Sequence, residues 1–364
     1  MSHESVQALM SAEVSFSGVA NPKKHDAPDS LSPMDMVFFG FLGECAGNYS
    51  APAALQLKRE GSLKRIAGID LRLPPETIPF DDYFANGELA VTMHWLEDNG
   101  YLNPQTRHIV STPTPTHVPI ITALLNAGCR DVASEKPLTL ISADAHALLG
   151  KNVHQISHQL AKTQMRKFIQ ECRAGLIPLE QIGHFDFFLL EDVGVTPGRA
   201  VDNVICDMHW HGYEAMVVPL ASLVEPEQSF RMVIDEVVVA KYIGGPAIFA
   251  PARDWTLAAI KGRILGTHEI TYRILAGKGW AHRDKRFVVK DRQGCELRSI
   301  PLVEEPRWRA HYRLLRELTK PVPDMLTTLE QAVGVVDLCQ HSVQMAVEVE
   351  TYPFGSMPFL EPLA

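Results

Sequence analysis

Between residues 35 and 150, short apolar runs alternate with stretches of helical period, and no other feature limits the fold so sharply. "MDMVFFGFLG" (34–43) is an apolar run stopped by glycine, as a strand buried on both faces should be. "NYSAPAALQLKREG" carries a helix closed by Gly61, and "LKRIAGIDLR" is the next strand. Ala85, Leu89, Met93 and Leu96 share one helical face. "RHIVSTP" then reads as a strand, "THVPIITALLNAG" as a helix closed by Gly128, and "DVASEKP" as a strand broken by Pro137. Strand–helix alternation predicts an α/β class with a parallel sheet covered by helices on both faces.

The second half has a different rhythm. Val153, Ile156, Leu160, Phe168, Ile169 and Cys172 predict one long amphipathic helix ending at Gly175. "IGHFDFFLL", "FRMVIDEVVVAKYI", "THEITYRILAG" and "KRFVVKD" are strand-like with few helices between them, and "RQG" joins the last to "CELRSIPL" as a hairpin. They predict a large, mainly antiparallel sheet. "RWRAHYRLLRELTK" and "LTTLEQAVGVVDLCQHSVQMA" are late helices, the first with a charged outer face. "HRDKRFVVKDR" is expected to form a solvated sheet edge, and "GGP" at 244–246 a turn.

A chain of 364 residues suits about two domains and a core that needs no disulfides. A formal net charge of -9 argues against a nucleic-acid backbone or an anionic membrane as partner. Cys45, Cys129, Cys172, Cys206, Cys295 and Cys339 are scattered without a C-x-x-C pair, which removes support for a zinc ribbon or a thioredoxin-like site and suits a reducing cytosol. "MSHESVQALMSAEVSFSG" has neither a basic start nor a long apolar run, so the expected location is cytoplasmic, with no membrane anchor.

The turn after the first strand reads "GECAGN" (43–48). A dinucleotide fold uses G-x-G-x-x-G there: for the tight turn, for backbone approach to a pyrophosphate, and for helix–strand packing. Gly43 holds the first position, Cys45 and Asn48 stand at the second and third, and Gly47 is displaced; Gly43, Cys45, Ala46 and Asn48 are the candidate contacts, with an ordinary strand-to-helix turn as the alternative. Asp70 ends the second strand, where a carboxylate takes the adenosine ribose hydroxyls and repels a 2′-phosphate, so NAD is favoured. Arg72, two residues on, leaves NADP open, because a guanidinium holds such a phosphate. The alternative for Asp70 is a solvated strand-end charge. "STPTPTH" (111–117) places Ser111, Thr112 and Pro113 at the carboxyl edge of the sheet, and His117 either caps the next helix or orients a loop.

"CDMHWHGYEAM" (206–216) is the other conspicuous stretch. Four-residue spacing puts Asp207 and His211 on one side of a helix, with Glu214 three residues further on, and an imidazole suits acid–base work near neutrality. His209 points away from that stripe. The competing readings are a buried core histidine and a metal site in which His209 and His211 are joined by His184, Asp186 or Cys206, although the spacing matches no metal signature. Trp210 and Tyr213 are expected in the core or a pocket wall.

"VSTPTPTHVPIITALLNAGCRDVASEKPLTL", followed downstream by Asp207, His211 and Glu214 in a D-x-x-x-H-x-x-[DE] element, resembles the Gfo/Idh/MocA oxidoreductases, the family of glucose–fructose oxidoreductase and inositol dehydrogenase. The resemblance runs from about residue 35 to 345. The chain departs from the family pattern at Cys45, Asn48, Asp202 and Asn203. The resemblance implies an N-terminal arm over 1–34, a Rossmann dinucleotide-binding domain over 35–150, a substrate-binding and oligomerisation α/β domain with an open sheet over 151–345, and a tail over 346–364. It implies that the last helix returns to the first domain, that Glu135 contacts the nicotinamide-side ribose, that Lys136 reaches the substrate, that Asp207 holds a substrate hydroxyl and that His211 is the acid–base.

The expected function is therefore NAD- or NADP-dependent oxidoreduction of a secondary hydroxyl on a sugar, cyclitol or sugar derivative by a homo-oligomer, with Lys136, Asp207 and His211 as the catalytic set and no metal. Two alternatives stay open: a non-catalytic nucleotide-binding sensor of the same fold, and a redox-neutral enzyme in which bound NAD oxidises a sugar carbon only transiently.

Overall fold

A computed structural model describes residues 12–18, 33–43, 46–74, 80–191, 204–243, 257–278, 284–302, 305–320 and 326–353. The chain divides into two compact units. One is assembled from residues 22–166 and 304–333; the other from 1–21, 167–303 and 334–364. The first described element, β1 (Ala12–Ser17), already belongs to the second of these.

The parallel unit contains β2 (Met34–Phe39), α1 (Ala51–Arg59), β3 (Leu63–Asp70), β4 (Asp82–Ala85), α2 (Leu89–Asp98), β5 (Thr106–Val110), α3 (His117–Asn126), β6 (Val132–Glu135), α4 (Ser142–His146) and β7 (Val153–Ile156). Its strands pair in parallel in the order β4-β3-β2-β5-β6-β7, so counted within the unit they run 3-2-1-4-5-6. That is the order of a doubly wound dinucleotide-binding sheet. β2 is buried at every residue because helices cover both faces. Even its one charge is paired: Asp35 takes Arg65 at 2.6 Å.

Two expectations fail here. Ala85 closes a strand and does not join a helix. Val153–Ile156 is the sixth parallel strand, and the expected long helix shrinks to α5 (Thr163–Arg173). A four-residue strand is too short to show a period of two, and Val153 with Ile156 imitates a helical i,i+3 pair.

The antiparallel unit contains β1, β8 (Ile182–Glu191), α6 (Trp210–Leu223), β9 (Ser229–Ile243), β10 (Leu257–Leu265), β11 (Glu269–Lys278), β12 (Asp284–Asp291) and β13 (Glu296–Pro301). α7 (Arg307–Leu318) follows in the parallel unit, where Ala310, Leu314, Leu315 and Leu318 share a core with α1 and the sheet. α8 (Leu329–Met345) and β14 (Val347–Pro353) end the described chain. The sheet order is β1-β9-β10-β11-β8-β12-β13, with β14 also on β9. Only β8–β11 and β9–β14 are parallel pairs.

The domain boundaries differ from those read in the sequence. Residues 12–17 are no arm, because β1 pairs with 229–234 of β9; 347–353 are no tail, because β14 pairs with 238–243 of the same strand. Both segments satisfy backbone groups of a fifteen-residue strand that would otherwise present a bare edge. "KRFVVKD" is not an edge either, since β12 lies between β8 and β13. The returning helix is α7, whereas α8 crosses from one unit into the other at 333/334. Among the described residues no helix is long and apolar enough to cross a membrane. Asp202, Asn203 and the "GGP" stretch lie outside the described residues.

Candidate active site

In a 3-2-1-4-5-6 sheet the crossovers from the first and fourth strands leave to opposite sides, which opens a crevice at the carboxyl ends of β2 and β5. The chain draws these ends close together. Gly40 N–H and Phe41 N–H both donate to the Ile69 carbonyl, at 2.9 and 3.1 Å, and Ser111 N–H donates to the Phe39 carbonyl at 3.0 Å. Gly40 has φ of +75°, and a Cβ there would stand 2.7 Å from the Ser111 carbonyl oxygen, so conformation and space both demand glycine. Gly43 N–H closes the turn onto the Gly40 carbonyl at 2.9 Å, and a Cβ on Gly43 would meet that oxygen at 2.9 Å.

Ala46, buried, and Asn48, exposed, then begin a π-helical turn, Ala46–Ser50, that runs into α1. Its last residue is fixed from outside: the buried Ser50 hydroxyl lies 2.9 Å from His311 Nδ1 on α7. Burial, with Arg307 adding to it, pushes the His311 imidazole down to about 4, so it is neutral near pH 7. Cys45 lies outside the described residues.

Asp70 stands where it was expected, at the end of β3, but its carboxylate is engaged. Oδ2 accepts the Leu42 N–H at 2.7 Å, and Oδ1 accepts the Arg72 N–H at 3.2 Å and lies 3.4 Å from Arg72 Nε. Arg72 in turn donates from Nη2 to the Leu42 carbonyl at 2.7 Å. The two side chains thus grip both polar groups of Leu42 and hold the glycine turn. Arg72 remains 66% exposed, so its guanidinium can still be reached by a ligand.

His117 is buried and orients loops instead of capping its helix. Nε2 lies 2.7 Å from the Thr112 carbonyl; Nδ1 lies 3.0 Å from the Pro137 carbonyl and 3.2 Å from Ser134 Oγ. Burial lowers its pKa, and a neutral ring donates only once. The ring therefore touches both carbonyls but donates to one of them, Thr112 or Pro137, while the Ser134 hydroxyl donates to the Glu135 carbonyl at 3.1 Å. One imidazole thereby ties the loop with Ser111, Thr112 and Pro113 to the loop with Glu135 and Lys136. Glu135 is buried and Lys136 half-buried, ahead of a cis Lys136–Pro137 bond.

In the antiparallel unit, Asp207 belongs to a second π-helical turn, Ile205–His209, leading into α6. Asp207 is half-buried, His211 is 3% exposed and Glu214 is fully buried. α6 is buried continuously from Trp210 to Ala221. Gly212 permits this, for a Cβ there would sit 2.7 Å from Ile274 Cγ2 and 3.0 Å from Phe187 Cδ1. Tyr213 is in the core, hydrogen-bonded to Ser342 Oγ at 2.6 Å.

His209 is an architectural residue. Its Nδ1 and Nε2 face the carbonyls of Val204 and Ala258 at 3.2 and 2.8 Å, and burial holds the imidazole down at about 4. His184 and Asp186 do not join it. Phe187 faces α6, so by strand alternation Asp186 and His184 lie on the opposite face of the sheet. There Asp186 takes Arg273 at 2.7 Å, Lys290 at 2.6 Å and His184 at 3.1 Å, which hold it far below the usual carboxylate range. Among the described residues no three His, Cys, Asp or Glu side chains stand where one metal ion could bind them.

The sequence reading missed Ser50–His311, the Ser134 contact and the Asp70–Leu42–Arg72 grip. His311 alone left a signal, a polar residue on the apolar stripe of "RWRAHYRLLR", which calls for a buried partner.

No protein-family model matches the sequence, and no curated protein matches it. Solved structures do match the fold. Glucose-6-phosphate 1-dehydrogenase from Mycobacterium avium covers 90% of this chain and 96% of its own at a TM-score of 0.62 and 15% identity. A putative myo-inositol dehydrogenase from Sinorhizobium meliloti gives 86%, 97%, 0.61 and 13% for the same measures. A 3-ketoreductase from Actinomadura kijaniata, solved with NADP, gives 87%, 99%, 0.61 and 14%. The chain shares the two-sheet α/β fold of these proteins.

Proposed function

We propose that the chain is a nicotinamide-dependent oxidoreductase that moves a hydride between NAD or NADP and a secondary hydroxyl of a sugar, a cyclitol or a related compound. The observation that carries this reading is the carboxyl edge of the 3-2-1-4-5-6 sheet, where the Gly40–Gly43 turn, Asp70 and the His117-tied loops stand together in one unit. The residues suit such a cofactor. The turn is too tight for side chains at Gly40 and Gly43, and it leads into a helix start that favours a pyrophosphate. When bound, the nicotinamide supplies the hydride acceptor or donor.

In this reading the 43–48 turn holds the pyrophosphate, and Asp70 and Arg72 share the adenosine ribose. Ser111, Thr112, Pro113 and Glu135 line the nicotinamide side, with His117 positioning them. Lys136 steadies the reacting oxygen as an ammonium, Asp207 orients a substrate hydroxyl, and His211 exchanges the hydroxyl proton. The solved proteins of this fold include dehydrogenases of sugar phosphate and inositol, which supports a polyhydroxylated substrate. We take the working form to be a homo-oligomer, which light scattering would test.

The test is a panel of sugars, polyols and sugar phosphates with NAD and NADP, read by the absorbance of the reduced nicotinamide. Lys136→Ala and His211→Ala should lose turnover and keep cofactor binding. Full turnover in both variants would remove the assignment.

A further inference from the structure

A groove of about 900 Å³ lies on the parallel unit between α1 and α7. It reaches Ser62, which immediately precedes β3, so it opens at the amino edge of the sheet. Asp70 ends that eight-residue strand, about 25 Å away at 3.3 Å per residue. The groove is therefore separate from the candidate active site.

Its charge runs against the rest of the chain. Arg166, Arg309, Arg313, Arg316 and Lys320 line it against the carboxylates of Glu60 and Glu317, on a protein of net charge -9. Much of this lining is already ordered. Buried Glu317 holds Arg166 at 3.0 Å and Lys320 at 2.7 Å, and Arg313 forms a two-pronged pair with Glu305 at 2.6 and 2.8 Å. Arg309 and Arg316 stand exposed at the rim. Glu60, the opposing charge, is engaged by the Tyr312 hydroxyl at 2.6 Å and Gln56 Nε2 at 2.7 Å.

The aromatic content narrows the ligand. Trp308 is 37% exposed, and the Arg309 guanidinium carbon lies 5.8 Å from its ring centroid. Trp308, Tyr312 and Arg316 recur every four residues on the outward face of α7. Guanidinium forks match phosphate oxygens, and an exposed indole offers a stacking face to a planar base. The volume suits one small ligand, and the net charge of the chain opposes a nucleic-acid strand. We propose that this groove binds a nucleoside di- or triphosphate, its phosphates on Arg309, Arg316 and Lys320 and its base against Trp308, independently of the carboxyl-edge site.

Isothermal titration of the full-length protein with ATP, ADP and inorganic pyrophosphate tests this. ATP and ADP should bind with micromolar affinity. Arg309→Ser with Arg316→Ser, both exposed, should weaken that binding roughly tenfold or more while circular dichroism shows an intact fold. Trp308→Ala should weaken ATP more than pyrophosphate. In an Arg72→Ala background, which weakens any ATP taken by the carboxyl edge, ATP should still bind and the double variant should still weaken it by a similar factor, which keeps this result separate from the fate of the oxidoreductase assignment. Absence of heat at millimolar ATP overturns the proposal. So does binding that falls in Arg72→Ala but not in the double variant, equal affinity for pyrophosphate and ATP, or tighter binding of a single-stranded oligonucleotide.

Discussion

At the carboxyl edge of the parallel sheet, the candidate residues hang from loops tied together by hydrogen bonds; on α6 they are set into a helix buried from Trp210 to Ala221. The loop region is assembled from strand ends far apart in sequence, and side chains expected to serve a cofactor first hold the protein. Asp70 grips Leu42, and His117 is seated between the Thr112 and Pro137 carbonyls. On α6 the frame is instead packing: Gly212 lets the helix lie on Phe187 and Ile274, and His209 anchors its start to Ala258. A residue that ties loops together is expected to affect ligand affinity when lost, whereas one in a packed helix affects either chemistry or folding.

The contrast breaks most visibly at His211. Its replacement by alanine should lower turnover roughly 10²–10⁴-fold, the usual contribution of a positioned acid–base group, and leave cofactor affinity as it was. Steady-state kinetics with cofactor titration would show this, and a loss confined to cofactor affinity would erase the distinction between the two regions. Gly212→Ala should affect folding, destabilising the chain by roughly 1–3 kcal/mol as Ile274 and Phe187 are forced aside. Denaturant unfolding measures that.

His117→Ala should cost about 1–3 kcal/mol through the lost contacts to two loops. It should raise the cofactor KM far more than it lowers kcat. Arg72→Ala should lower NADP affinity about tenfold and NAD affinity much less. Equal losses for both would mean that Arg72 matters only as the brace of Leu42.

The smallest effect near neutrality concerns buried histidines. Burial holds His108 at about 3 and His209 and His311 at about 4, against about 6.5 in the unfolded chain. The folded form therefore binds fewer protons. The stability these groups confer is complete above about pH 6.5 and is lost as the pH falls towards 4 and then 3. Unfolding free energy measured against pH should slope upward across that window, and His209→Gln should flatten the slope.

How much of this the sequence discloses depends on the range of the interactions. The run from Met34 to Phe39 is visible because a strand buried on both faces is apolar nearly throughout, and the run from Leu63 to Asp70 because its buried stretch from Ile66 to Ile69 carries no charge. β1 is not, although Val14 and Phe16 alternate with exposed neighbours, because its partner is Arg231 and its flanks, more than two hundred residues away. β10 escapes for a related reason. "LAAIKGRIL" has small residues and a glycine at 262, where a Cβ would stand 2.1 Å from the Val233 carbonyl oxygen, a close approach that no local pattern discloses. The places of Asp70, Thr112 and Lys136 at or just after strand ends were legible, because a motif fixes them there. Their engagement was not, because Asp70 meets Leu42 only after the chain has folded.

The oxidoreductase reading is tested most directly by titrating the purified protein with NADPH and NADH and following the fluorescence of the reduced nicotinamide, in the wild type and in Gly43→Val. Saturable micromolar binding in the wild type, lost when the valine fills the turn, is the result expected. No binding of either nucleotide by a folded wild type, or equal binding by the variant, would contradict the account.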